Sequence, residues 1–368
     1  MKYEDTEKYY MNMALELAVK GEGFVSPNPL VGAVIVKDGK VVGKGFHKFF
    51  GGPHAEVYAL KEAGDDARGG ELYVTLEPCS HYGKNPPCAK AVIEAGIKKV
   101  VVAVKDPNPL VSGKGIKMLE NAGVKVHTGI MEREAFKINE IFMKYITRKI
   151  PFVTIKSAVT IDGKIALSNG ESKWITGEKS REKVHEMRNK YTAVMAGIGT
   201  IIKDDPLLTT RLGGRGRSPR AILIDSKLRI PISSKILGTL DDRDIVIACT
   251  ENFDKSKFRK LENMGVKIIV CPEKDDKVDL KYLVKKLGKE GIDSILVEGG
   301  GRLNFSVLES GIADKVVYFI APMIFGGDNS KTSVEGKGVD KISMAVKFKD
   351  MSFKRIGEDL MLEAYCVK

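Results

Sequence analysis

The sequence predicts two consecutive α/β domains, each a mixed sheet with helices on its faces. A chain of 368 residues is longer than one ordinary hydrophobic core supports. Helical and strand-like patterns alternate through both halves, after an opening hairpin. A fresh strand pattern begins at Pro151, so the boundary is placed within 146–151, ITRKIP, dividing the chain into residues 1–147 and 148–368.

Residues 3–20 carry an amphipathic helical pattern. LVGAVIVKDGKVVGKGFH reads as two strands joined by an Asp38-Gly39 turn, because Asp and Gly tolerate the positive φ such turns need. HAEVYALKEAG reads as a helix ended by Gly64. GELYVTLEP is a strand stopped by Pro78. PCAKAVIEAGIKKVVVAVKDP is a helix and a buried strand, GIKMLENAGVKVHTG repeats that order, and a helix over roughly 131–148 closes the first domain. In the second domain PFVTIKSAVTIDGKIA is a strand leading into a turn. A helix near 178–190 follows, then strands at 191–197, 220–225 and 244–249. Helices at 257–265, 280–291 and 302–311 alternate with strands at 266–270, 293–300 and 314–322, and the C-terminal segment reads as antiparallel strands.

With 43% hydrophobic and 29% charged residues the chain is globular rather than disordered. No apolar run reaches the ~18 residues of a membrane span. The acidic, amphipathic start lacks the basic and apolar regions of a signal peptide, so a cytoplasmic location is expected. Of five cysteines, Cys249, Cys271 and Cys366 stand alone in apolar surroundings, as small buried hydrophobes do in a reducing compartment. A net charge of +12 admits anionic ligands, phosphates and nucleic acid among them. Lysines spread over helix faces, as in KYLVKKLGKE, read as solvated surface. With 7% aromatic residues, no basic stripe interleaved with aromatics stands out.

Cys79 and Cys88 differ from the other cysteines, because they flank a polar, proline-rich loop. His54 opens a helix, and Glu56, two residues on, is turned about 200° around it. Glu56 is therefore a poor neighbouring ligand but can lie beside an open coordination position. One His and two Cys make a three-ligand zinc site with a fourth position for water. Such a site brings the water's pKa from ~15.7 towards ~7, and Glu56 would shuttle its proton to a ring nitrogen and to departing ammonia. Zinc nucleobase deaminases combine H-x-E with P-C-x-x-C. Here HAE matches, whereas PCSHYGKNPPC places eight residues between the cysteines. A closed structural zinc site, with His81 or Glu77 as fourth ligand, is the competing reading and leaves Glu56 without a role. A Cys79–Cys88 disulfide is disfavoured in the cytosol.

That spacing, with SPNPLVGAVIV, GFHKFFGGPHAE and LEPCSHYGKNPPC, resembles the deaminase half of the bifunctional riboflavin-biosynthesis deaminase/reductases. The resemblance implies a cytidine-deaminase-like α/β/α domain with one zinc. It also implies removal of an amino group from a phosphoribosylamino-pyrimidine, with Asn28, His47 and Lys84 touching substrate. Lys84, in a Gly-flanked loop, suits a phosphate as a point charge.

The second domain has no G-x-G-x-x-G after its first strand, so the usual dinucleotide fingerprint is missing. SILVEGGGRLNFSVLESG instead ends a buried strand in Glu298, follows it with three glycines and starts a helix, a place where backbone amides can approach a pyrophosphate. SAVTIDGKIALSNGESKWIT, MAGIGTIIKDDPLLTTR and AILIDSKLRIP add polar loops, several after strand ends, as in a nucleotide crevice. These strings resemble the reductase half of the same family, so the resemblance covers nearly the whole chain. It implies a dihydrofolate-reductase-like α/β domain that uses NADPH to reduce the ribosyl group to ribityl. Cofactor contacts would be Ala158, Trp174, Thr200, Asp204, Ser226, Gly300, Gly301, Arg302, Leu303, Asn304, Phe305 and Ser306. Substrate contacts would be Ser172, Arg188, Leu207, Arg211 and Glu298, with the two arginines as forks for the substrate phosphate. Asp204 and Lys156 are candidate proton donors.

The expected protein is thus a bifunctional enzyme acting on a phosphorylated pyrimidine, without nucleic-acid or membrane partners, and a homo-oligomer. Its rivals are a nucleic-acid (tRNA) deaminase with an RNA-binding second domain and a non-catalytic, zinc-stabilised binding protein.

Overall fold

The computed structural model describes residues 3–80, 86–108, 111–214 and 216–367. The chain divides into two compact units, Met1–Lys149 and Ile150–Lys368.

The first unit runs α1 (Tyr3–Val19), β1 (Gly32–Lys37), β2 (Lys40–Phe46), α2 (Ala55–Ala63), β3 (Glu71–Leu76), α3 (Cys88–Glu94), β4 (Lys99–Val104), α4 (Lys114–Asn121), β5 (Lys125–Thr128), α5 (Glu132–Ile138) and α6 (Glu140–Arg148). Among the described residues its sheet has the order β2-β1-β3-β4-β5. The β1–β2 and β1–β3 pairs are antiparallel, whereas β3, β4 and β5 run parallel. Successive side chains of a strand point to opposite faces. Ala33 and Ile35 therefore pack with Ala59 of α2, Val92 of α3 and Leu119 of α4, while Val34 and Val36 pack with Met11 and Ala14 of α1 and Met143 of α6. The result is a three-layer α/β/α sandwich.

Two differences from the sequence pattern matter later. His54 is the N-cap of α2, with φ −75° and ψ 163°, so the helical angle between His54 and Glu56 does not apply. The helix expected over 131–148 is two helices, broken at Asn139, whose φ is −105° and ψ 13°.

The second unit runs β6 (Phe152–Thr160), β7 (Lys164–Ala166), α7 (Glu178–Lys190), β8 (Ala193–Gly197), α8 (Ile198–Asp204), β9 (Arg220–Ile224), β10 (Ile245–Cys249), α9 (Lys255–Asn263), β11 (Lys267–Val270), β12 (Glu273–Lys274), β13 (Lys277–Val278), α10 (Leu280–Lys289), β14 (Ser294–Val297), α11 (Gly301–Glu309), β15 (Lys315–Ala321), β16 (Lys331–Thr332), β17 (Phe348–Ile356) and β18 (Asp359–Cys366). Among the described residues its main sheet has the order β11-β10-β9-β8-β14-β6-β15-β18-β17. The strands from β11 to β15 are parallel, and β18 and β17 join antiparallel. One face packs with Leu283 and Leu287 of α10 and Val307 of α11; the other packs with Ile201 of α8 and Leu261 of α9. The short α8 and the β12–β13 hairpin carry too little periodicity to be read from sequence. No helix among the described residues is long and apolar enough to cross a membrane.

Glycine decides how closely α2 approaches the sheet. A Cβ on Gly45 of β2 would lie 2.2 Å from the Ala55 carbonyl, and one on Gly43 would lie 2.2 Å from the Ala59 carbonyl. Gly45→Ala is expected to force α2 off β2 and destabilise the first unit by about 1–3 kcal/mol. The check is the urea midpoint; an unchanged midpoint would mean that α2 can lift at no cost.

Candidate active sites

The first site gathers where β3 ends and α2 and α3 begin. Pro78 stops β3, and Cys79 follows; Cys88 is the first residue of α3 and His54 caps α2. The ligand atoms of His54, Cys79 and Cys88 lie within 4.8 Å of one another. His54 Nδ1 is 3.1 Å from Cys88 Sγ and 3.6 Å from Cys79 Sγ, and the Cys88 amide donates to Cys79 Sγ at 3.3 Å. A hydrogen bond with Cys88 pulls the Cys79 thiol down to about 4, while that bond and burial push the Cys88 thiol up. Two thiols this close disfavour ionising together, and a bound cation would offset that repulsion. Glu56 is 3% exposed, its Oε2 has no hydrogen-bond partner, and burial lifts its carboxyl to about 7. Two sulfurs, an imidazole and an orphaned buried carboxylate fit a zinc ion with one position open.

Glu77 is spent elsewhere. Its carboxylate accepts from the amides of Asp106 (3.2 Å), Gly113 (2.9 Å), Gly115 (2.9 Å) and Ile116 (3.3 Å). It caps α4 from a distant strand and cannot be a fourth ligand. His81 and Lys84 lie outside the described residues. Asn28 and His47 stand beside the metal ligands. Asn28 Nδ2 is 3.1 Å from His47 Nε2, His47 Nδ1 is 2.9 Å from the Pro53 carbonyl, and the His47 and His54 rings are 5.7 Å apart. An amide NH₂ only donates and a carbonyl only accepts, so the His47 proton sits on Nδ1.

The second site surrounds a cavity of about 680 Å³. Ser172, Thr200, Asp204, Ser226, Glu298, Gly300, Gly301, Arg302, Leu303 and Ser306 line it. A Cβ on Gly199 or Gly300 would meet no atom within 4 Å. Neither glycine has a positive φ. Their missing side chains leave room along the cavity wall, which suits a dinucleotide backbone. Ala158, Trp174, Leu207 and Arg211 do not line the cavity. Trp174 is 67% exposed, with the Arg181 guanidinium 4.7 Å from its ring centre. Asn304 and Phe305 are on other faces of α11. Asn304 is fully buried and donates to Ser157 Oγ and the Ser333 carbonyl, and Phe305 packs against Gly336. Helical rotation separates these two from Leu303 and Ser306.

Arg188 is paired within the protein. Its Nε and Nη2 donate to the two Glu298 oxygens at 2.6 and 2.9 Å, and Nη1 donates to the Thr209 carbonyl at 3.0 Å. Lys156 Nζ lies 3.9 Å from Glu298 Oε2. Burial pushes the Glu298 carboxyl up, but Arg188 and then Lys156 outweigh it and hold it below its ordinary range. Arg211 keeps its fork free of ion-pair partners among the described residues, and its amide donates to His185 Nδ1 at 3.2 Å. Sequence reasoning missed His185 and buried Arg243, which donates to the carbonyls of Leu207, Leu208 and Pro219, and it weighed Glu77 only as a metal ligand. No local motif marks residues whose partners lie this far along the chain.

A zinc-type deaminase unit followed by a reductase unit of dihydrofolate-reductase-like fold is the class of protein these features define. The cytidine and deoxycytidylate deaminase zinc-binding region matches residues 4–104, and the RibD C-terminal domain matches residues 151–362. The chain is 46% identical to riboflavin biosynthesis protein RibD of Actinobacillus pleuropneumoniae over 97% of this chain and 95% of that protein. It is also 46% identical to the Aquifex aeolicus protein of that name, over 97% and 98%. Acinetobacter baumannii RibD superposes with a TM-score of 0.88 at 36% identity, covering 99% of this chain and 100% of that one. A Thermotoga maritima diaminohydroxyphosphoribosylaminopyrimidine deaminase/5-amino-6-(5-phosphoribosylamino)uracil reductase gives 0.86 at 38%, covering 99% and 100%. The chain belongs to the RibD family of riboflavin-biosynthesis proteins. A reductase match across the second unit removes the alternative of an RNA-binding second domain.

Burial, then Arg188 and Arg211, hold His185 at about 4 against its ordinary 6.5. The unfolded chain binds more protons between those values, so stability falls as pH drops from about 6.5 to about 4. His185→Asn is expected to flatten that slope, measured by urea midpoints at several pH values across the window. An unchanged slope would assign the acid sensitivity to other groups.

Proposed function

We propose that the chain deaminates 2,5-diamino-6-(5-phosphoribosylamino)pyrimidin-4-one by hydrolysis and then reduces the product's ribosyl chain to ribityl with NADPH. The observation that carries the first step is the donor set of His54, Cys79 and Cys88 beside the orphaned Glu56 carboxylate. These three residues would hold zinc, which when bound supplies a water acidic enough to act as nucleophile near neutral pH. Glu56, held near 7, can take one proton from water to the ring nitrogen and then carry the second, from the added hydroxyl, to the leaving amino group. Asn28 and His47 would orient the pyrimidine, and Lys84 keeps the phosphate role drawn from sequence.

NADPH, when bound, supplies the hydride. Thr200, Asp204, Ser226 and the Gly300–Leu303 turn with Ser306 would hold it, while Ser172 and Glu298 face the sugar. Ala158, Trp174, Asn304 and Phe305 then contribute through backbone or shape rather than from the cavity lining. Arg211 and Arg188 keep the phosphate role, Arg211 with its fork unpaired among the described residues and Arg188 braced by Glu298, and Leu207 keeps its substrate contact. Asp204, which lines the cavity, and Lys156, whose ammonium burial makes more acidic and which adjoins Glu298, both stay candidate proton donors.

Arg229, Lys274 and Lys277 line the same cavity and have no ion-pair partner among the described residues. Arg229 follows β9, two strand spacings or ~10 Å from β14, and Lys274 and Lys277 sit on the β12–β13 hairpin, which packs against β10. A pyrophosphate at the glycine turn leaves this cationic side for a 2′-phosphate, which supports NADPH over NADH.

The cytoplasm is the proposed location, and no nucleic-acid partner is proposed. A homo-oligomer is supported by β17, the sheet edge, which exposes Met351 (54%) and Phe353 (59%).

Glu56→Ala is expected to abolish ammonia release while zinc content and NADPH oxidation with the deaminated substrate persist; an unchanged rate would reject the deaminase reading. Arg229→Ala with Lys274→Ala and Lys277→Ala is expected to weaken 2′,5′-ADP binding about tenfold or more while 5′-ADP binding is unaltered. Calorimetric titration of both ligands checks this, and equal losses for the two would remove the assignment.

A further inference from the structure

We infer that Asn139 is a positioning residue for the deaminase site: its side chain clasps the backbone of Leu30 and so holds Asn28 and His47 in place. The inference rests on the proposed reading of Asn28 and His47 as substrate contacts.

The first sign is the helix break itself. The apolar pattern runs on through Ile138 and Phe142, yet α5 ends and α6 begins at Asn139. Asn is a favoured N-cap, but this side chain makes no capping bond to α6. It is 2% exposed and turned instead towards a loop 109 residues earlier. Its Oδ1 accepts from Leu30 N at 2.8 Å, and its Nδ2 donates to Leu30 O at 2.9 Å. An amide side chain offers donor and acceptor side by side, so it mimics one rung of a β-ladder. An orphaned buried backbone pair at Leu30 would be costly.

The loop then leads to the site. The Asn28 amide is turned back on the Val25 carbonyl, and its side chain meets His47 Nε2. The His47 amide donates to the Val31 carbonyl, next to the clasped residue, and its Nδ1 donates to the Pro53 carbonyl, one residue before His54. Leu30 is thus a fixed point of the loop, with the Gly32 amide on Thr75 Oγ1 as the next anchor. Release of the clasp leaves the ligand donors intact but frees the loop that carries Asn28.

The test is a double-mutant cycle on ammonia release, with Asn28→Ala, Asn139→Asp and their combination. Asn139→Asp is nearly isosteric and keeps an acceptor for Leu30 N, but it turns a second oxygen towards Leu30 O. Asn139→Ser is the second variant should the aspartate fail to fold. The expected result is a KM for the pyrimidine raised about tenfold, kcat changed far less and full zinc content. The double variant should be no worse than its worse single parent, because both act through one contact. A lowered urea midpoint with unchanged KM, lost zinc, or additive KM effects would overturn the inference. A raised KM in Asn28→Ala with silent Asn139 variants overturns only the clasp. An unchanged KM in Asn28→Ala overturns the substrate-loop reading, and the inference with it.

Discussion

Two sulfur atoms within reach of one imidazole nitrogen repel each other once ionised unless a cation lies between them, and the first unit is organised around that grouping. The Cys88 amide donates to Cys79 Sγ, and His54 Nδ1 lies 3.1 Å from Cys88 Sγ and 3.6 Å from Cys79 Sγ. Their positions come from elements that have no freedom to move. Pro78 ends β3, Cys88 opens α3, and the glycines of β2 seat α2 close enough to bring His54 alongside. Glu77 fixes the same strand end to the start of α4 through four backbone amides. A closed structural metal site would need a fourth ligand here. Glu56, buried and with Oε2 unpartnered, suits a proton shuttle.

The second unit handles charge differently. Its buried carboxylate, Glu298, is neutralised within the protein by Arg188 and Lys156. Breaking such a pair from one side strands a buried charge and costs about 3–5 kcal/mol, so the pair belongs to the scaffold as much as to the site. Among the described residues Arg229, Lys274 and Lys277 of the cavity lining have no such partners, which leaves them for an anionic cofactor. Buried charge is paired internally and cavity charge is left for ligand, so one domain can be both stable and receptive.

Much of this was legible in the chain. Apolar periodicity, the Asp38-Gly39 turn and the Pro151 restart marked the α/β elements, because each depends on neighbours a few residues away. H-x-E and the paired cysteines marked the metal site for the same reason: each ligand sits at the start or end of a recognisable element. The helix over 131–148 was misread as continuous because the break serves Leu30, more than a hundred residues distant, and periodicity registers no such partner. The pairing of Arg188 with Glu298 went unread because nothing near Arg188 in sequence announces a partner 110 residues away.

Residue type and local spacing therefore established which chemistry the chain can perform: a thiolate-imidazole metal site, a proton-shuttling carboxylate and a glycine turn for a dinucleotide. Folding in three dimensions settled which of those groups are spent on one another and which remain available to a ligand. Hydrogen bonds and ion pairs depend on separation through space, and that separation exists only once distant segments have packed together.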